Sequence, residues 1–376
     1  MTVRTVTVLG LGLIGGSVAR AARRGTPGLT VRGVDEDPGT LAYAAEHGIA
    51  EEVASSEDAE ALGWLSGRGS DLIVVATPVA ATVAWLERLG SLGFEGVVTD
   101  VASTKSAVVA AAASTGGRFR FVGGHPMAGS ERSGITAASE TLFDGAYYIL
   151  TPTEATDTDA YRMVHAFVTS LGARVVSVDA AAHDDAVAIV SHVPHVTASA
   201  LVELASSRAT EAGADLLRLA AGGFKDMTRI AAGSPDLWTG ICLDNADAVA
   251  AGLAGLERVL SDFRARVTAG DAEGVRALLA GAADVRRALP AQWVPATARL
   301  RELSVPVSDR PGVVGIVTTA ASRAGCNIED IEIDHRSEDS AELRLVLTDE
   351  GDVEALMADL EARGFAPVLR PLEEDA

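Results

Sequence analysis

The 376-residue chain has only two cysteines, Cys242 and Cys326. That excludes a disulfide-stapled scaffold and fits a reducing, cytoplasmic setting. Positive charge is scarce: 31 basic against 52 acidic residues gives 31 − 52 = −21. A chain this acidic repels phosphate backbones and anionic lipid, so neither nucleic acid nor a membrane is an expected partner. Lysine occurs only at Lys105 and Lys225, which draws attention to both. No apolar run reaches the ~18–20 residues of a membrane span without a charge, glycine or proline. Residues 1–6 read as a strand, with no apolar core of a signal peptide. There is no HExxH and no paired cysteine motif, so no metal is expected.

What is present is a chain with 48% apolar residues, long enough for two or three domains with cores of their own. Up to residue ~180, short β-branched runs alternate with Ala-rich helical stretches. The runs are residues 5–9, 31–34, 72–76, 97–99, 121–122, 147–150 and 175–178. Such runs predict strands buried on both faces of a parallel α/β sheet. From 181 to 292 the strand signal gives way to long helical spacing, as in residues 187–204 and 246–267. This predicts an all-helical domain too apolar to stand alone, hence a subunit interface. Pro290 and Pro295 bracket a linker. Residues 299–376 restart as strand, helix, strand, strand, helix, strand: the βαββαβ order of ferredoxin-like domains. That segment holds 18 acids and 8 bases, nearly half the net charge.

The first run leads into Gly10-Leu11-Gly12-Leu13-Ile14-Gly15. The first glycine permits a tight turn, the second lets the backbone approach a pyrophosphate, and the third lets the helix pack on the strand. Strand before and helix after are the context that gives this pattern meaning. Gly10, Gly12, Leu13, Ile14 and Gly15 are the expected phosphate-side contacts. Asp35, ending the second run, is placed to bind ribose hydroxyls. Glu36 and Asp37 beside it disfavour a 2′-phosphate, which points to NAD rather than NADP. Thr77 and Pro78 close a later strand on the nicotinamide side.

Two further loops leave strands at the same edge: residues 99–106 and 123–131. Hydride removal from an alcohol carbon needs a base for the hydroxyl proton, and histidine suits that near neutral pH. His125, after two glycines, is the candidate, with Ser103 to orient it or share the hydroxyl. In the helical domain, Ser191 with His192 and His195, and Gly223-Phe224-Lys225-Asp226 with Arg229 and Trp238, supply polar groups. Arginine suits a bidentate carboxylate contact. His192 and His195 read equally as helix-interface histidines.

Residues 10–17, 100–105, 124–131, 191–195 and 223–229 with Trp238 together resemble the prephenate/arogenate dehydrogenase family of tyrosine biosynthesis. The tail resembles an ACT regulatory domain at residues 309–312 and 325–328. The resemblance implies a Rossmann domain (1–180), a helical dimerisation domain (181–292) and an ACT-like domain (299–376). It implies NAD-dependent oxidative decarboxylation of prephenate to 4-hydroxyphenylpyruvate. His125 would accept the proton and Ser103 would orient it. Arg229, Ser191, His195, Glu131, Lys225 and Asp226 would surround the substrate, and Trp238 would reach the neighbouring subunit of a homodimer. Tyrosine is the implied effector, held near Asp309, Gly312, Val313, Asn327 and Ile328. Arogenate is the alternative substrate; its ammonium would seek a carboxylate such as Glu131, Asp184 or Asp226. A β-hydroxyacid dehydrogenase using Lys225, and a non-catalytic amino-acid sensor, are the competing classes.

Overall fold

The computed structural model describes residues 3–129, 132–212, 219–288, 301–308, 312–337, 340–348 and 351–371. It divides into two compact units: residues 1–184, 233–244 and 298–376 form one, and 185–232 with 245–297 the other.

The first unit opens with an eight-stranded sheet. Its strands are β1 (Thr5–Leu9), β2 (Thr30–Asp35), β3 (Glu52–Ser55), β4 (Leu72–Val75), β5 (Val97–Asp100), β6 (Arg120–Pro126), β7 (Tyr147–Thr151) and β8 (Arg174–Ser177). Their order is β3-β2-β1-β4-β5-β6-β7-β8. Every residue of β4 and β5 is buried, as expected of central strands covered on both faces. Between the strands run α1 (Leu13–Gly25), α2 (Pro38–Glu46), α3 (Ala59–Trp64), α4 (Val79–Ser91), α5 (Ser106–Ser114) and α6 (Thr158–Ser170). The helix starts follow local chemistry. Asp37 caps α2 by accepting from the Thr40 amide at 2.8 Å, with Pro38 at the first helical position. Asp157 caps α6 in the same way through Ala160, also at 2.8 Å.

Two features differ from the sequence expectation. The short β3, with an exposed Glu52, carries too little apolar signal to be read as a strand. And the sheet is not parallel throughout: β7 runs antiparallel to β6, with β8 parallel to β7. A parallel neighbour needs a crossover, usually a helix. Among the described residues between β6 and β7 there is only the 3-10 turn Ile135–Ala137, so the chain returns in the opposite sense.

Helices follow: α7 (Ala180–Val187), α8 (Val193–Ala212), α9 (Gly222–Thr228), α10 (Pro235–Asp244), α11 (Ala246–Ala269) and α12 (Ala272–Ala288). Here α10 belongs to the first unit, against α4. A π turn, Ala188–His192, joins α7 to α8. Pro194 has no N–H to give to the carbonyl four residues back, and the helix widens just ahead of it. The continuous stretch Ala180–Arg208 is long and apolar enough to cross a membrane by length and composition, with mean hydropathy 1.4 over its most apolar window. Pro194 and Glu203 interrupt the apolar run itself. The predicted linker around Pro290 and Pro295 lies outside the described residues.

The C-terminal domain has β9 (Arg301–Ser308), α13 (Val313–Arg323), β10 (Ile328–Ser337), β11 (Ser340–Leu347), α14 (Val353–Ala362) and β12 (Val368–Pro371). The antiparallel sheet order β10-β11-β9-β12 is the predicted ferredoxin-like one. Its core joins Leu303 and Val305 of β9 to Leu343 and Leu345 of β11, with Leu356 and Leu360 of α14. Within the first unit this domain lies against the reversed strands, with β10 and α13 touching β8 and α13 touching α6. The Gly312 amide donates to the Thr156 carbonyl at 2.9 Å. A Cβ at Gly312 would lie 1.8 Å from the Glu154 carbonyl oxygen, and one at Gly315 2.1 Å from that of Thr153. These two glycines let the start of α13 seat on the 153–156 turn.

Candidate functional site

The glycine loop has the shape of a dinucleotide cradle. Gly10 has φ +88°, and its amide donates to the Val34 carbonyl at 2.8 Å. A Cβ at Gly15 would lie 1.9 Å from the Gly10 carbonyl oxygen, so only glycine brings α1 this close to the turn. A Cβ at Gly12 would meet nothing, so open space lies where a pyrophosphate must approach. Leu13 and Ile14 begin α1, whose N-terminal amides face that space. Asp35 braces the loop: Oδ2 accepts from the Leu11 amide at 2.7 Å and Oδ1 from the Asp37 amide at 2.9 Å. Each carboxylate oxygen retains a second lone pair for a ribose hydroxyl. Thr77 lies against Gly10, its hydroxyl 3.0 Å from that of Thr82, and Pro78 caps α4. The residues present thus fit a bound dinucleotide.

At the same carboxyl edge, β5 and β6 are tied together by a buried ion pair. Lys105, wholly buried, reaches back to the Asp100 carboxylate and donates to the Gly124 carbonyl at 2.6 Å. Asp100 also accepts from the amides of Ala102 at 2.9 Å and Gly124 at 3.0 Å. Burial pulls the Lys105 ammonium below its ordinary range, against the opposing pull of Asp100. The lysine that the scarcity of lysine singled out is therefore a clamp on the strand end that carries His125.

His125 follows Gly124 at the end of β6, half-buried. Its Nδ1 lies 2.8 Å from Nε2 of His183, and Nδ1 of His183 lies 2.8 Å from Oδ1 of Asp184. The same carboxylate accepts from the amides of Lys105 at 2.7 Å and Ser106 at 2.8 Å. Burial works to raise the Asp184 pKa, but the hydrogen bonds from His183, Ser106 and Lys105 outweigh it and hold it at about 2. An ionised Asp184 can only accept, so His183 donates from Nδ1 and accepts at Nε2. His125 then donates from Nδ1 and carries its lone pair on Nε2. Ser103 was expected to orient this ring. It lies half-buried in the turn before Lys105 without a hydrogen bond to His125, and His183 takes that place.

The depressed carboxyl has a consequence for acid stability. Its contribution is complete above the ordinary value of 3.8 and disappears as pH falls through about 2. Replacing Asp184 with asparagine is expected to lower the urea midpoint at about pH 6 and to make no difference below about pH 2, where wild-type Asp184 is itself protonated. Urea titrations of both proteins across that range check it.

The second unit carries Ser191, half-buried in the π turn, and His195, buried on α8. Burial pulls His195 below the ordinary histidine value, so it is neutral near pH 7. His192 is buried, and its Nδ1 lies 3.3 Å from the Asn245 amide. Lys225 and Asp226 on α9, and Arg229 on the 3-10 turn after it, are exposed, and both elements pack on α8. Trp238 is half-buried on α10, in the first unit. Glu131 and Asp309 lie outside the described residues. Gly312 is covered by the 153–156 turn, Val313 and Ile328 are buried, and Asn327 lines a cavity. His183 was not singled out in the sequence, and Asp184 only as a partner for an ammonium. The one signal is a His-Asp pair opening the helical segment, 58 residues from His125.

Comparison with known proteins identifies the family. Residues 18–177 match the family model described as prephenate dehydrogenase, nucleotide-binding domain, and residues 179–281 match prephenate dehydrogenase, dimerization domain. The prephenate dehydrogenase of Bacillus subtilis is 35% identical over 365 residues, covering 96% of each chain. The crystal structure of Aquifex aeolicus prephenate dehydrogenase, in complex with hydroxyphenyl propionate and NAD+, superposes with a TM-score of 0.71 at 29% identity. It covers 77% of this chain and 99% of its own. Synechocystis arogenate dehydrogenase gives a TM-score of 0.64 at 31% identity, covering 75% of this chain and 99% of its own. With two family domains in sequence, a whole-length relative and the cradle and histidine chain in place, the chain belongs to the prephenate dehydrogenase family.

Proposed function

We propose that the chain oxidatively decarboxylates prephenate to 4-hydroxyphenylpyruvate with NAD, the tyrosine branch of aromatic amino-acid synthesis. The observation that carries this is the Asp184–His183–His125 chain at the same sheet edge as the glycine loop: it makes His125 Nε2 a base at the edge where a nicotinamide half would lie. Gly10, Gly12, Leu13, Ile14, Gly15, Asp35, Thr77 and Pro78 hold the cofactor, which when bound accepts a hydride from the alcohol carbon. His125 Nε2 takes the hydroxyl proton, and His183 shares the resulting positive charge with Asp184. As the carbonyl forms, the ring carboxylate leaves as CO₂ and the ring becomes aromatic, so the step runs one way. Ser103 offers its hydroxyl to the reacting alcohol, and Arg229 pairs with a substrate carboxylate. Ser191, His195, Glu131, Lys225, Asp226 and Trp238 are assigned to substrate binding on the family resemblance.

Prephenate is favoured over arogenate because Asp184, one candidate partner for an ammonium, is engaged by three donors of this chain. NADH production with each substrate tests both points. A larger kcat/KM for prephenate is expected, and a clear excess for arogenate reverses the choice. Arg229→Ala is expected chiefly to raise KM for prephenate, as loss of binding shared by ground and transition states does; initial rates over a substrate series check it.

The helical unit supports a homodimer: Ile189, Val190, Val259, Leu260 and Val267 are exposed on it. We place the enzyme in the cytoplasm, with the C-terminal domain as an ACT-like module answering to tyrosine.

A further inference from the structure

The dinucleotide pattern calls for glycine at positions 10, 12 and 15, and the cradle accounts for each. It does not call for the glycine at 16. Outside its own helix, a Cβ there would meet nothing of the cradle nearer than the Leu11 carbonyl oxygen, at 3.7 Å. It would instead lie 2.9 Å from Cβ of Ala138 and 3.4 Å from Cγ1 of Ile135. Glycine is a poor helix residue beside alanine. The reason for Gly16 in α1 therefore lies in what packs on it.

What packs there is the segment between β6 and β7. Ser17 is wholly buried; its hydroxyl donates to the Leu13 carbonyl at 2.7 Å and accepts from the Ser139 amide at 3.0 Å. Ile135 is buried in the same core as Val18 of α1. At the far end of α1, Arg24 forks onto the Asp144 carboxylate, with one bond at 3.0 Å. The segment thus lies along α1 and is seated on its first turn.

The start of the segment is fixed as well. The Met127 amide donates to the Tyr147 carbonyl at 2.8 Å, two residues after His125. Residues 128–134 are the link from that point to the seat, and they include Glu131. In the sheet, β1 and β6 are three places apart, roughly 14 Å at the usual strand spacing. Seven extended residues reach about 24 Å. Crossing the sheet uses more than half of that reach, so moving the seat moves the link.

We propose that Gly16 and Ser17 are positioning residues for the substrate: they seat the β6–β7 segment on the cofactor helix and so fix the course of residues 128–134. The proposal rests on the reading of residues 123–131 as the substrate loop. One turn of α1 then serves both ligands. Its amides face the dinucleotide, and its Gly16–Ser17 side holds the substrate loop. Displacing the segment weakens prephenate binding. His125 keeps its place, because Lys105 at Gly124 and His183 at the ring support it from outside the segment.

Initial rates of the full-length enzyme with prephenate and NAD, paired with a fluorescence titration of NADH, read the two ligands separately. Gly16→Ala sets a methyl against Ala138. It is expected to raise KM for prephenate about tenfold, with kcat and the NADH Kd within about twofold of wild type. Adding Ala138→Gly removes the carbon that the methyl meets, and is expected to restore most of the loss. A general defect in α1 has no reason to respond to that second change. Ser17→Ala takes the acceptor from the Ser139 amide and is expected to shift KM in the same direction. If Gly16→Ala does not fold, Ser17→Ala and the double variant decide. The proposal is overturned by an unchanged KM for prephenate, by an NADH Kd that rises in step with it, or by no recovery in the double variant. Wild-type turnover tests the function by itself. An active wild type whose variants keep its KM retains the function and loses the seat. A wild type inactive on both prephenate and arogenate removes the substrate reading, and the seat with it.

Discussion

Asparagine at position 125 is expected to lower kcat by about 10²–10⁴-fold, the usual worth of a positioned general base, with NAD affinity unchanged. The asparagine amide can still donate toward His183 Nε2, so the Asp184–His183 pair keeps its geometry. What it lacks is a basic nitrogen for the hydroxyl proton. The glycine loop and Asp35 lie on other strands and are untouched by the change. Steady-state rates, paired with a fluorescence titration of NADH, separate the two properties. A kcat near that of the wild type removes His125 as the base; a parallel loss of NADH binding points to a damaged fold.

Lys105→Met is expected to be the most destabilising single change near the site. Removing the ammonium leaves Asp100 at 0% exposure with two backbone amides and no counter-charge. Breaking one side of a buried pair costs about 3–5 kcal/mol. The exposed surface salt bridges, such as Arg68 with Glu95, are worth about 1 kcal/mol or less. Urea unfolding followed by far-UV circular dichroism reads the loss. The double variant Asp100→Asn with Lys105→Met is expected to recover part of it, because no bare carboxylate remains. A midpoint unchanged by Lys105→Met would show that the pair does not hold the strand ends together.

Much of this architecture is legible in local pattern. The Gly10-to-Gly15 spacing, the acid at Asp35 and the βαββαβ order of the tail each depend on residues near one another in the chain. The direction of β7 is another matter. A run such as Tyr147–Thr151 says that a strand exists and which residues alternate, and both senses of pairing satisfy that pattern. The histidine chain is hidden for a related reason. His183 and His125 belong to different elements, and nothing in either segment marks the other. Ser103 was expected there because its loop leaves a strand at the same sheet edge as His125; α7 brings His183 to that ring. Gly312 reads as a ligand loop in isolation, and only the docked 153–156 turn shows that its open side is occupied.

The reversal at β7 divides the N-terminal sheet into a parallel part and a reversed pair of strands. Strands β1 to β6 all point one way, and the glycine loop leaves the first of them. The two strands beyond run as an add-on whose far edge is gripped by the C-terminal domain. His125 stands on the seam: β6 pairs with β5 as far as Val122, and His125 itself pairs with Ile149 of β7. A minimal fragment cut before Tyr147 would be a nucleotide binder with an unsupported base. The seam is where a nucleotide-binding scaffold is joined to the histidine that gives it a particular chemistry.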